Sequence, residues 1–139
     1  MFVPRKVILL GKECRGSRVS PEIKKQIVEY HKQRREIHPI EWDCRLEEIA
    51  RGTMKNATTR VNTEKVGKRR GLNFFEYDKQ DRKQYTEAKD IVNYVLEYWW
   101  SSEHYARCNM KDKTMRKFGC SYKDGDVFLF ACVYEKRAC

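Results

Sequence analysis

The sequence predicts an α+β fold, and three observations carry that prediction. Apolar residues recur at helical spacing in three separate segments, two strand-like runs near the C-terminus flank an Asp-Gly step, and the helical segments precede most of the strand signal. At 139 residues the chain suits one domain, which buries roughly two-thirds of the surface its unfolded chain exposes.

Ser20-Pro21-Glu22 opens the first helix. The serine hydroxyl caps a free N–H, the proline's missing N–H costs nothing in the first turn, and the acid faces the positive end of the helix dipole. Ile23, Ile27 and Tyr30 then share a face, so the helix is expected to run to about Glu36. His38-Pro39 ends it, because proline disfavours helical geometry in the residue before it. Asp43 can cap a second helix, with Leu46, Ile49, Ala50 and Met54 at helical spacing, that fades near Asn56. From Ala57 to Arg70 the periodicity disappears into Thr, Asn, Gly and a basic run, which reads as a solvated loop. Gly71 to Tyr77 is the first strand. Ala88, Ile91, Val92, Val95 and Trp99 make a core stripe that places a third helix over about Gln84 to Trp100. Thr114 to Tyr122 and Val127 to Glu135 then pair as a hairpin across Lys123-Asp124-Gly125-Asp126. No internal repeat or low-complexity segment is present.

Charge narrows the partners. There are 30 Lys and Arg against 20 Asp and Glu, a formal net charge of +10, which favours sulfated glycosaminoglycans or other polyanions. Lys65, Lys68, Arg69 and Arg70 form one compact cluster, and Lys111, Lys113, Arg116 and Lys117 another; such patches bind sulfate or phosphate by releasing counterions. The nearby aromatics fall in core-like strands rather than on a base-stacking platform, so no specific nucleic-acid partner is expected. No stretch approaches the roughly 20 apolar residues of a membrane span.

Cys14, Cys44, Cys108, Cys120, Cys132 and Cys139 are even in number, and no Cys-x-x-Cys pair occurs. That argues against a zinc finger or ribbon and for disulfides in an oxidising compartment, with reduced structural thiols as the alternative. Cys120 and Cys132 lie on the two strands of the hairpin, where opposed residues come within disulfide reach, and are expected to bond. Cys44 is expected to pair with Cys108, leaving Cys14 with Cys139. Asn56-Ala57-Thr58 is a glycosylation sequon, consistent with secretion. Within Met1 to Gly11 the apolar run Val7 to Leu10 is shorter than the roughly 7 to 15 residues of a signal-peptide core, so no leader is visible there.

A series of short motifs, in a particular order, adds a resemblance. Trp42-Asp43-Cys44-Arg45-Leu46-Glu47 with Ala50, then Gly71-Leu72-Asn73-Phe74, Tyr94-Val95-Leu96-Glu97, His104-Tyr105-Ala106-Arg107, Phe118-Gly119-Cys120 and Cys132-Val133-Tyr134 follow one another along the chain. This order resembles the CAP superfamily, the cysteine-rich secretory, venom-antigen and pathogenesis-related proteins also called SCP/TAPS. His31 and the arginines after it resemble the family's first-helix element, with Lys32 where Asn is usual, and the short connection from Glu36 to Glu41 makes this a shortened member.

The resemblance implies an extracellular three-layer α-β-α sandwich with a small antiparallel sheet between helices, a single CAP domain over residues 19–139 and an N-terminal extension over residues 1–18. It also implies a secreted, venom-allergen-like protein that is not an enzyme and acts through a protein receptor or a lipid or sterol ligand, with immune modulation as one outcome. Many members present two histidines and two glutamates in a central cleft, a set able to hold a divalent metal. Only Glu97 and His104 map onto that set here: no histidine occurs near Arg60 to Asn62, and Leu72 stands where one glutamate would be. No metal or other cofactor and no catalytic residue is therefore expected. Two other readings compete: a degenerate CAP hydrolase using Glu97 and His104 as an acid/base pair, and an unrelated cationic disulfide-rich protein that binds glycosaminoglycans.

Overall fold

The computed structural model describes residues 13–35, 37–102 and 105–138, so Met1 to Gly11, Glu36, His104 and Cys139 lie outside the described residues. In chain order its elements are α1 (Pro21–Arg35), β1 (Glu41–Trp42), α2 (Cys44–Gly52), a 3₁₀ turn (Thr63–Val66), β2 (Gly71–Asp78), α3 (Lys79–Arg82), α4 (Ala88–Ser101), α5 (Tyr105–Lys111), β3 (Lys117–Lys123) and β4 (Val127–Tyr134). The strands lie in the order β1-β3-β4-β2, with β1 parallel to β3 and the other pairs antiparallel.

Both anticipated helix starts are capped as their sequences imply. Ser20 Oγ accepts from the Ile23 N–H at 3.2 Å, and the Asp43 carboxylate accepts from the Leu46 N–H at 3.0 Å. Two element starts differ from expectation, and α2 ends at Gly52 rather than near Asn56. Helix α4 begins at Ala88 rather than Gln84, because Asp78 caps the short α3, Lys83 ends it with φ of 40°, and the Tyr85 N–H donates to Tyr77 Oη at 3.0 Å. Strand β3 begins at Lys117 rather than Thr114, whose N–H and hydroxyl both fold back onto Asp112 Oδ1.

Alternation along β4 divides the interior into two cores. Phe128, Phe130, Cys132 and Tyr134 meet the buried faces of α1 and α4 together with Met110 of α5, while Leu129, Ala131 and Val133 meet Leu46, Ala50 and Met54 beside α2. The sheet is thus sandwiched between helical layers. Trp99 stacks on Phe130 with ring centroids 4.9 Å apart, and burying each such side chain contributes roughly 1.5–3 kcal/mol.

Packing of α2 on the sheet depends on Gly119. A Cβ there would lie 2.3 Å from the Glu47 nitrogen and 2.7 Å from the Asp43 carbonyl, so the first turn of α2 rests on bare β3 backbone. Trp42 Nε1 donates to the buried Glu47 Oε1 at 2.8 Å across the same junction.

At the other end of α1, Arg35 is buried and its guanidinium donates to five carbonyls: His38, Pro39, Met110, Asp112 and Met115. One side chain thereby ties α1 to the connection before β1 and to the α5–β3 connection.

Cys120 and Cys132 face each other in register and are bonded. The expected pairing of Cys44 with Cys108, and with it that of Cys14 with Cys139, is corrected: Cys14 bonds to Cys44. Cys44 opens α2 and Arg51, in its last turn, donates from Nη1 to the Gly16 carbonyl at 2.8 Å, so the Cys14–Gly16 segment lies along α2, whereas α5, which carries Cys108, packs on the opposite face of the sheet. Cys108 is also oxidised.

Candidate binding cleft

A cleft of about 410 Å³ opens beside β2, between the loop before that strand, α5 and the chain after β4. Its apolar surface comes from Leu72 and Phe74 and its polar surface from Tyr105, Asn109, Arg70 and Arg137; among the described residues no acid lines it. Gly71 lets these parts close up, since a Cβ there would fall 2.6 Å from Asn109 Oδ1 and 2.8 Å from the Lys136 carbonyl.

Buried amides hold the cleft wall. Asn109 Nδ2 donates to Asn73 Oδ1 and Asn73 Nδ2 donates to the Ala106 carbonyl, each at 2.9 Å, while Asn109 Oδ1 accepts from the Ala138 N–H at 3.3 Å. Asn73 is also bonded to the Tyr134 hydroxyl, which reaches His31 Nε2 at 2.6 Å; His31 Nδ1 meets the Ile27 carbonyl at 2.9 Å. With Nδ1 protonated toward that carbonyl and Nε2 accepting from the phenol, every partner is satisfied by a neutral imidazole. Burial lowers the His31 pKa to about 4 and raises that of Tyr134. His31 is therefore a core residue that supports the cleft from behind.

The basic loop is the cleft's rim. Val66 anchors it in the core beneath α2, Arg70 Nη1 donates to the Val66 carbonyl at 3.2 Å, and Asn62 Oδ1 accepts from the Glu64 N–H at 3.2 Å. From the other side, the Arg137 N–H donates to the Arg69 carbonyl at 3.1 Å and its Nη1 to the Lys68 carbonyl at 3.4 Å. Lys65, Lys68 and Arg69 are exposed, and Arg70 is half-buried in the cleft wall. Sequence reading found these four but not Arg137, whose role depends on a contact between loop and C-terminal segment that no local pattern announces.

Of the two residues of the cleft remnant, only Glu97 lies among the described residues. Glu97 is half-exposed on α4 and accepts from Tyr30 Oη at 2.9 Å and Arg34 Nη2 at 3.1 Å, both from α1, and it does not line the cleft beside β2. Burial, and then the bond to Glu97, hold the Tyr30 phenol above its ordinary pKa. His104 lies outside the described residues; its neighbour Tyr105 is exposed at the cleft mouth. Leu72 contributes apolar surface where the resemblance would put a carboxylate. Among the described residues no group of three or more His, Cys, Asp and Glu side chains could hold a metal ion, and Glu97 already holds a guanidinium, so these residues do not fit the divalent metal that the resemblance implies. Asn56 of the sequon is exposed in the turns after α2.

Comparison with known proteins agrees with this architecture. The family model described as "Ancylostoma-associated secreted protein related" matches residues 9–134. Among solved structures, Na-ASP-1 superposes with a TM-score of 0.74 at 15% identity, over 92% of this chain but only 40% of that one. The Ancylostoma-secreted protein Ac-ASP-7 superposes with a TM-score of 0.72 at 21% identity, over 94% of this chain and 78% of that one. BmVAL-1 gives 0.70 at 18% identity, over 91% and 82%. Ac-ASP-7 also has a manganese-bound structure, a property of that protein. No curated protein sequence matches the chain. The match over most of its length, together with a sheet held between helical layers, shows that the chain belongs to the Ancylostoma-associated secreted protein related family of the CAP superfamily.

Proposed function

We propose that this chain is a secreted CAP-domain protein that acts by binding rather than by catalysis, and that its cleft rim engages a sulfated glycosaminoglycan or a similarly polyanionic surface. The observation that carries the proposal is the fixed cationic edge: Lys65, Lys68 and Arg69 are exposed, their loop is tied to Arg137 through two backbone carbonyls, and Arg70 and Arg137 line a cleft that has no acid among its described residues. Charges held in place cost a polyanion less ordering than charges on a free loop, and counterion release then drives association. A receptor protein or a lipid or sterol ligand, with immune modulation as a consequence, would use the same apolar-and-cationic cleft. The hydrolase reading loses ground because the Glu97 carboxylate is occupied by Tyr30 and Arg34 on another face. No helix among the described residues is long and apolar enough to cross a membrane, and the exposed Asn56 suits a glycosylation acceptor.

Heparin-affinity chromatography tests the proposal. The triple substitution Lys65→Ala, Lys68→Ala, Arg69→Ala should elute at clearly lower salt than the parent while melting at nearly the same temperature, since exposed charges contribute about 0–1 kcal/mol each to stability. Elution at the parent's salt concentration would refute it.

A further inference from the structure

We propose that a second cavity, of about 740 Å³ between the C-terminal turn of α2, the Gly16–Arg18 segment and the end of β3, is a site for a small organic anion with an apolar body. Its size lies within the range of small-molecule sites, roughly 300–1,000 Å³.

The wall charges favour an anion. Arg18, Arg51, Lys55 and Lys123 line the cavity against two acids, Glu48 and Asp124. Asp124 accepts from Lys79 Nζ, a cation outside the cavity, at 2.6 Å, whereas Glu48 and the buried Glu47 each lie 3.9 Å from Arg51, which leaves Arg18, Lys55 and Lys123 as the cations that no wall acid pairs. The Lys123 ammonium is held by neutral groups, the Ala57 carbonyl at 2.5 Å and the Met54 carbonyl at 3.4 Å, so its charge is positioned but not neutralised. Arg18 and Lys55 are exposed.

A buried orphan group points to the same conclusion. Ser121 is 1% exposed, contributes to the cavity wall, and its hydroxyl has no hydrogen-bond partner among the described residues. A buried hydroxyl left without a partner is destabilising, and an acceptor oxygen that reached it would recover that loss. Met54 and Tyr122 add apolar surface to the wall, so a bare inorganic ion would leave part of the cavity unused. These groups do not include the cations of the cleft rim.

Gly52 supplies a clean test because it lines the cavity and a Cβ there would meet nothing within 4 Å. Gly52→Phe should fill the cavity while improving the helix propensity of that position. The probe is phenyl sulfate, titrated into the intact oxidised chain by calorimetry, with phenol and inorganic sulfate as separate arms. We expect one saturable site for phenyl sulfate, with phenol and inorganic sulfate each weaker by about ten-fold or more. Gly52→Phe and the exposed pair Arg18→Glu, Lys55→Glu should each weaken phenyl sulfate by about ten-fold, and Ser121→Ala by at least about three-fold. Substitutions at Lys68 and Arg69 should leave it unchanged, which separates this site from the polyanion edge. The proposal is overturned if phenyl sulfate does not saturate below about 1 mM, if inorganic sulfate binds as well as phenyl sulfate, or if both the filled and the charge-reversed variants, folded by their melts, keep the parent's affinity.

Discussion

Arg35→Lys is the substitution that most directly tests how the helical layer is fixed to the sheet. The guanidinium donates to five carbonyls, with the bonds to Met110 at 2.9 Å and Met115 at 2.6 Å wholly buried. An ammonium keeps the charge but has three donors, so at least two carbonyls lose their partner. At about 1–3 kcal/mol for a buried group left unsatisfied, the expected loss is about 3 kcal/mol. For a domain of this size that corresponds to a fall in melting temperature of about 10 °C. Urea denaturation of the oxidised protein measures it, provided the slope with denaturant is unchanged so that both variants expose the same surface on unfolding. Arg35→Met, which removes all the donors, should be worse than Arg35→Lys. A loss within about 1 kcal/mol for Arg35→Lys would refute the reasoning, because it would mean that water or rearranged backbone satisfies those carbonyls as well as the fork does.

Further expectations rest on other contacts. Because the folded pKa of His31 is about 4 against an ordinary 6.5, the unfolded chain binds the extra proton first as pH falls; stability should drop below about pH 6.5, by about 2 kcal/mol at pH 5, and level off below about pH 4. A urea midpoint that does not move between pH 7 and pH 5 would contradict this. Gly119→Ala should cost about 3 kcal/mol by thermal melt, at the upper end for overpacking because the clash is with backbone of α2; a neutral result would show that α2 is free to shift. Non-reducing peptide mapping should recover Cys14 linked to Cys44, and a Cys44 to Cys108 peptide would refute the pairing.

The fold was legible where local chemistry decides it. Helical spacing marked α1, α2 and the body of α4, capping residues marked two of their starts, and Asp124-Gly125 marked the hairpin. Strand β1, only Glu41–Trp42, was not legible, since two residues carry no period and its parallel pairing with β3 is a tertiary event. Helix α5 spans seven residues, too few for a stripe to stand out, and the Cys14–Cys44 bond joins positions 30 apart whose approach no local pattern announces. For the same reason the cationic loop was found while its clamp, Arg137, and the cavity under the end of α2 were not.

The motifs that carried the family resemblance are wiring of the scaffold. Trp42 and Glu47 bond across the β1–α2 junction, Asp43 caps α2, Gly119 lets that helix rest on β3, and Cys120 and Cys132 join the hairpin strands. Asn73 and Tyr134 belong to the buried amide and phenol network that reaches His31. None of these contacts requires the cleft carboxylates or histidines. Leu72, where the resemblance would put a glutamate, lines the cleft and packs against the core beside α2 but is not part of that network. A sequence under selection to keep this scaffold is free to change what the cleft binds. In this chain the described wall beside β2 is apolar and cationic, so the order of motifs identifies the fold while the chemistry of the cleft has to be read from its own residues.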